Sequence, residues 1–269
     1  MARKKKRKYD FLRYFGRSLL FVMKIPYYVV KGVIVLSMGV SKELDESRIR
    51  KKKEMMVAMY SPFKIIETLG GDFRDWFDKV VSSESQIGIV LGARGSGKTA
   101  FGVKMLENIY SRRKKKCFAM GFKSEEFPSW IRVVSDISEL ENNSWVLIDE
   151  GGILFSSRNS MSSANKLLSQ LILVARHKNI NIIFISQNSS NLEVNILRQA
   201  DFLVLKRSSL LQKEFERKIV QKIYLEAGEK FDKYEGDMGL AYVYSGNFRG
   251  FVSNPLPSFW KEGISKSFK

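Results

Sequence analysis

Residues 89–102 read IVLGARGSGKTAFG, and the run that leads into them is QIGIVLG, 86–92. The leading run is apolar and rich in β-branched residues, which predicts a buried strand. A glycine-rich turn follows, and then a stretch predicted to be helical through about Tyr110. Strand, G-x-x-x-x-G-K-T and helix in that order make a phosphate-binding loop. Gly92, Gly95 and Gly97 allow backbone N–H groups to face a phosphate with no Cβ in the way. The first turn of the helix adds its partial positive charge. Ala93, Arg94, Ser96 and Ala100 complete the predicted contact set. Lys98 is placed to reach the β- and γ-phosphates, and the Thr99 hydroxyl to hold Mg²⁺. The expected ligands are therefore ATP and Mg²⁺.

Working outward from the loop, SWVLIDEG (144–151) is a second buried strand, ending in Asp149-Glu150. In a parallel sheet the C-terminal ends of the strands share one edge with the loop. Asp149 is then a metal ligand acting through water, and Glu150 the group that polarises an attacking water. A glutamate directly after the aspartate favours hydrolysis over phosphate transfer to a metabolite. The N-K-x-D pattern of guanine readers is absent. CFAMGF (117–122), INIIFISQ (180–187) and DFLVLKR (201–207) read as further strands, and SANKLLSQLILVARHKN as the helix before INIIFISQ. The rhythm predicts an α/β fold, a doubly wound, mostly parallel sheet. Gln187, at a strand end beside the Asp-Glu strand, is a candidate γ-phosphate sensor.

One cysteine and one histidine exclude an internal disulfide and finger-type zinc sites. The net charge is +18, unevenly spread: residues 1–60 hold 16 Lys/Arg against 5 Asp/Glu, a net +11. A head this basic is expected to meet a polyanion, either nucleic acid or an anionic membrane face. Its longest uncharged run, Gly32 to Ser41, is shorter than the about 18–20 residues a membrane span needs. Arg13, Arg17, Lys24, Lys31 and Lys42 are separated by 4, 7, 7 and 11 residues, so they return to one helical face. That pattern describes a basic amphipathic segment, with Pro26 kinking or breaking it. It would lie on a membrane or dock on a partner; a true span and a packed N-terminal helix are the competing readings. The expected division is a basic helical head (1–60), a helical connector (61–85), a nucleotide-binding core (86–207), and a C-terminal helix and hairpin (208–269) that completes the domain.

The set GARGSGKT, WVLIDE, ARHKNINIIFISQ and LRQADFLVLKR resembles the FtsK–HerA superfamily of P-loop ATPases, with a RecA-like fold. Within it the viral and archaeal DNA-packaging ATPases and the zonula occludens toxin-like proteins are the most similar. The resemblance covers residues 86–207. It implies ATP hydrolysis and a homo-oligomeric ring, usually hexameric, that moves DNA, expected here to be duplex. It implies Gly92, Gly97, Lys98, Thr99, Asp149, Glu150 and Gln187 in the roles above, and Arg176 as an arginine finger in a neighbour's site. Arg158, in the loop after the Asp-Glu pair, is the competing finger. The implied setting is cytoplasmic, peripheral at the inner face of the membrane, or virion-associated. Two features depart from the family: nothing resembles a separate DNA-reading domain, and the head is basic and apolar. The alternative is therefore a zonula occludens toxin-like (Zot-like), membrane-associated ATPase for virion assembly or secretion, with residues 1–60 on a membrane or a capsid or assembly protein.

Overall fold

The computed structural model describes residues 43–150, 161–234 and 236–265. The expectations for residues 1–42 and for Arg158 lie outside them. The chain divides into two compact units, 1–52 and 53–269. In the first, the described residues are helical, part of a helix over 43–54 (α1). No helix among the described residues is long and apolar enough to cross a membrane.

The second unit is built on one nine-stranded sheet ordered β1-β9-β8-β7-β2-β6-β5-β3-β4. The strands are β1 (Lys64–Gly71), β2 (Ile87–Leu91), β3 (Lys116–Met120), β4 (Ile131–Val134), β5 (Ser144–Asp149), β6 (Asn181–Ser186), β7 (Phe202–Leu205), β8 (Leu240–Ser245) and β9 (Phe248–Ser253). From β4 to β7 the pairing is parallel throughout. The hairpin β8–β9 then extends the sheet antiparallel from β7, and β1 closes that edge. Central strands are buried on both faces, and alternate residues of β2 feed two different cores. Ile87, Ile89 and Leu91 pack with α4 (Met161–Lys178) and α7 (Lys218–Lys233); Val90 packs with α2 (Phe73–Ser82) and α3 (Lys98–Arg113). The fold is thus α/β, a doubly wound, mostly parallel sheet with the glycine-rich loop after a central strand.

One expectation is corrected. The first half of 61–85 is not helical: Lys64–Gly71 is an edge strand paired with β9. KIIETLGG is mostly exposed, so it lacks the apolar alternation that marks a half-buried strand. Asp72 then caps α2 by accepting from the Arg74 and Asp75 N–H groups. The hairpin after 207 does join the same sheet, which runs from Lys64 to Ser253.

A strap of polar bonds fixes α3, the helix that follows the phosphate loop. Lys104 and Glu107 pair at 2.8 Å with both side chains almost wholly buried. Glu107 also accepts from the Met59 N–H and the Ser258 hydroxyl, and Lys104 donates to the Met59 carbonyl. Asn108 exchanges two bonds with the Ser61 backbone. A buried pair saturated in this way is stable only because each charge has several partners.

Gly88, in the strand that carries the loop, has Phe202 of β7 directly beside it in register. A Cβ there would meet the Phe202 ring at 2.1 Å, and Trp76 packs edge-on against that same ring. The ring cannot swing aside without opening the core. Gly88→Ala is expected to cost about 1–3 kcal/mol, as overpacking does. A urea midpoint no lower than the parent's would contradict this.

Candidate active site

The loop between β2 and α3 follows from its glycines. Gly92, Gly95 and Gly97 take φ of 151°, 77° and 86°. At Gly97 a Cβ would also meet the Met238 carbonyl oxygen at 2.9 Å, so the position excludes a side chain on two grounds. The loop is pinned from the β7 side, where Ala93 N–H donates to the Arg207 carbonyl at 2.9 Å. Gly97 begins α3 with no side-chain cap, which leaves N–H groups of the first turn directed out of the helix. Ala93 and Ser96 are half-buried, Arg94 and Gly95 exposed, Ala100 buried, and Thr99 half-buried one residue into α3.

Lys98 turns back over the loop, donating to the Gly92 and Ala93 carbonyls at 2.8 Å each. Burial lowers its pKa to about 8, against the opposing pull of Asp149 and Glu150. Those carboxylates therefore lie within electrostatic reach of the ammonium. Bonds of this kind, with phosphate oxygens in place of carbonyls, are what a lysine in this position offers a nucleotide.

Register brings the second motif to the same edge. Leu91, the last residue of β2, is level with Ser186 of β6, and Ile185 is level with Asp149 of β5. One strand thus separates the loop from the acidic pair. Glu150 is 6% exposed. It accepts from the Ser186 hydroxyl and from the Gln187 backbone N–H. Desolvation raises its pKa above the usual carboxylate range, with Asp149 adding to the effect and the two hydrogen bonds opposing it. A raised pKa and a fixed rotamer suit a carboxylate that takes a proton from water.

Gln187 sits one residue beyond β6 with its side chain exposed, and its carbonyl accepts from Gln212. Arg176 is exposed in the last turn of α4 and donates to Gln199 at 3.4 Å. It precedes β6, whose six residues span about 20 Å, so it lies at the opposite edge of the sheet from the loop of its own chain. The structure brings together Lys98, Asp149, Glu150 and the Gln187 backbone; it keeps Arg176 away from them.

Two residues of this edge were not singled out from the sequence. Ser186, next to Gln187, holds Glu150; the dipeptide Ser-Gln at a strand end was its only signal. Lys206, directly after β7, is fully buried and donates to the Met238 and Gly239 carbonyls and to Asn254 Oδ1, at 3.1, 2.9 and 3.2 Å. Burial lowers its pKa to about 7.

The donors present fit a nucleotide with Mg²⁺. No cluster of three or more His, Cys, Asp or Glu able to hold a metal occurs among the described residues. Mg²⁺ bound through one hydroxyl, one carboxylate, water and phosphate needs no such cluster.

No family model and no curated protein matches the chain. Solved structures that it is similar to include the B204 DNA-packaging ATPase of Sulfolobus turreted icosahedral virus, with 18% identity over 65% of this chain and 98% of that one, at a TM-score of 0.44. The genome-packaging NTPase B204 of Sulfolobus turreted icosahedral virus 2, in complex with ATP-gammaS, gives 17% identity over 65% and 99% at 0.46. The pCW3 conjugation coupling protein TcpA, with ATPgS, gives 12% over 69% and 63% at 0.45.

Proposed function

We propose that the chain is an ATP-hydrolysing motor of the FtsK–HerA type that moves DNA, most simply in packaging a viral or mobile-element genome. The observation that carries the hydrolytic part is the carboxylate of Glu150, buried, raised in pKa and oriented by Ser186, one strand away from a phosphate loop. Lys98 exchanges its loop carbonyls for β- and γ-phosphate oxygens, while the N–H groups of the loop and of the first turn of α3 hold the remaining phosphate charge. Glu150 orients a water and accepts its proton as the terminal phosphate is attacked. Thr99 and Asp149 would hold Mg²⁺, which neutralises charge on the β- and γ-oxygens when bound. Gln187 senses the terminal phosphate. Arg176, remote from its own loop, serves a neighbouring copy, in keeping with a ring.

The DNA part rests on the sequence resemblance and on the net charge of +18. Its test is the steady-state ATPase rate of the full chain with and without duplex DNA at two salt concentrations. Stimulation that fades with salt is expected, because phosphate contacts release counterions. A rate indifferent to DNA at both salts would remove the translocation reading and leave an ATPase. The basic, apolar composition of residues 1–60 supports a second reading, a membrane-associated assembly ATPase, for which anionic liposomes replace DNA as the stimulating ligand.

A further inference from the structure

A cleft of about 320 Å³ adjoins the outer side of the phosphate loop, at the lower end of the range of small-molecule sites. One wall is the loop itself, Ala93 to Ser96, and its base is Arg207–Ser209 after β7. The other wall is Phe231 and Tyr234 at the end of α7, with Asp237, Met238 and Leu240 leading into β8. This wall is tied to the loop. Lys206 Nζ holds the Met238 and Gly239 carbonyls, and the Met238 carbonyl oxygen abuts Gly97 closely enough to forbid a Cβ there. Asp237 Oδ1 braces the turn by accepting from Gly239 N–H at 2.8 Å and the Ser253 hydroxyl at 2.9 Å.

The sheet order fixes which end of a nucleotide meets this cleft. Asp149 and Glu150 stand on the β6–β5 side of β2, so the terminal phosphate points that way. A triphosphate laid along the loop must then leave it on the opposite side, toward β7 and β8. The cleft is on that side. Among the described residues its lining takes ring and aliphatic surface from Phe231, Tyr234, Met238 and Leu240, with Arg94, Arg207 and Asp237 as its charged groups. Such a surface recognises a flat aromatic heterocycle by area of contact more than by reading its edge.

We infer that this cleft is the nucleoside subsite, in which a purine base lies against Tyr234 and Met238 with its ribose toward Arg207–Ser209. The inference rests on the proposed phosphate site and adds the base to it. Purines bind in preference to pyrimidines because the larger ring covers more of the wall. Lys206 acts as a positioning residue, holding the wall at a fixed distance from the loop.

The test compares equilibrium binding of ATP, UTP and inorganic tripolyphosphate, each with Mg²⁺, to the full chain and to Tyr234→Ala and Lys98→Ala. Tripolyphosphate reports on the loop alone. ATP is expected to bind more tightly than tripolyphosphate, with UTP between them. Tyr234→Ala should weaken ATP by about 10- to 100-fold, the range that base–aromatic stacking supplies, and leave tripolyphosphate unchanged. Equal affinity for ATP and tripolyphosphate in the parent chain overturns the inference. So does a Tyr234→Ala variant that keeps its ATP affinity, or one that loses both ligands alike, which would make the residue a support of the loop's fold. Undiminished binding of all three ligands by Lys98→Ala instead overturns the phosphate site itself, so the two failures are distinguishable.

Discussion

Glu150→Gln is expected to bind ATP as tightly as the parent chain and to hydrolyse it about 10²- to 10⁴-fold more slowly, the range for loss of a positioned general base. The amide has the size of the carboxylate and can still accept from the Ser186 hydroxyl, so the edge formed by β5 and β6 keeps its shape. What disappears is the ability to take a proton from water. The pH profile of the parent supplies an independent check. Only the deprotonated form is a base, and burial raises the pKa of Glu150. The acid limb of kcat should therefore lie above the ordinary carboxylate range, with activity rising as pH increases through it. In Glu150→Gln that limb should vanish along with the activity. A further sign follows from linkage. Because the folded chain binds this proton more tightly than the unfolded one, the contribution of Glu150 to stability is fully present below its unfolded pKa. It is lost as pH rises through its raised folded value. At neutral pH the variant should thus be no less stable than the parent in thermal unfolding. A variant that retains parental turnover would remove Glu150 from the chemistry, and one that unfolds at lower temperature would show the carboxylate to be structural.

Much of this edge was readable beforehand because its parts are local. The loop announces itself by glycine spacing between a strand and a helix, and Asp149-Glu150 by following four apolar residues. Both depend on neighbours in the chain. Glu150's partner does not: Ser186 lies 36 residues away, and only the pairing of β5 with β6 brings it alongside. The same holds for Lys104 and Glu107. At a spacing of three residues they read as a solvated pair on a helix face, yet Met59 and Ser258 bury them. β1 escaped notice for the opposite reason. It is an edge strand whose pairing with β9 needs few apolar side chains, so no periodicity marks it. Nothing local marks Lys206 as buried; its burial depends on the wall of residues 237–239 and on Asn254, contributed by later parts of the chain.

Lys98 yields the second large effect, and pH reveals it. Without ligand the ammonium is buried against two carbonyls and has a pKa of about 8. Phosphate oxygens are far better partners for a cation than carbonyls are, so a bound nucleotide holds the proton more tightly than the free site does. Binding is then coupled to proton uptake above the free pKa. The dissociation constant of ATP should be level from pH 7 to about 8 and then rise, by up to tenfold for each further pH unit, toward pH 9.5. The groups that face Lys98 must be separated from it. Asp149 and Glu150 raise its pKa, while the pKa of Lys206 is itself lowered by burial to about 7, so Lys206 is already neutral over most of this window. Lys98→Gln isolates the remaining term. It should weaken ATP by about 10- to 100-fold at pH 7, the worth of charge-assisted bonds, and flatten the alkaline rise. If the rise persists in Lys98→Gln, another group supplies the proton. If the parent shows no rise at all, the ammonium does not move from the loop carbonyls to the phosphates, and Lys98 is a brace of the loop instead of its grip on the nucleotide.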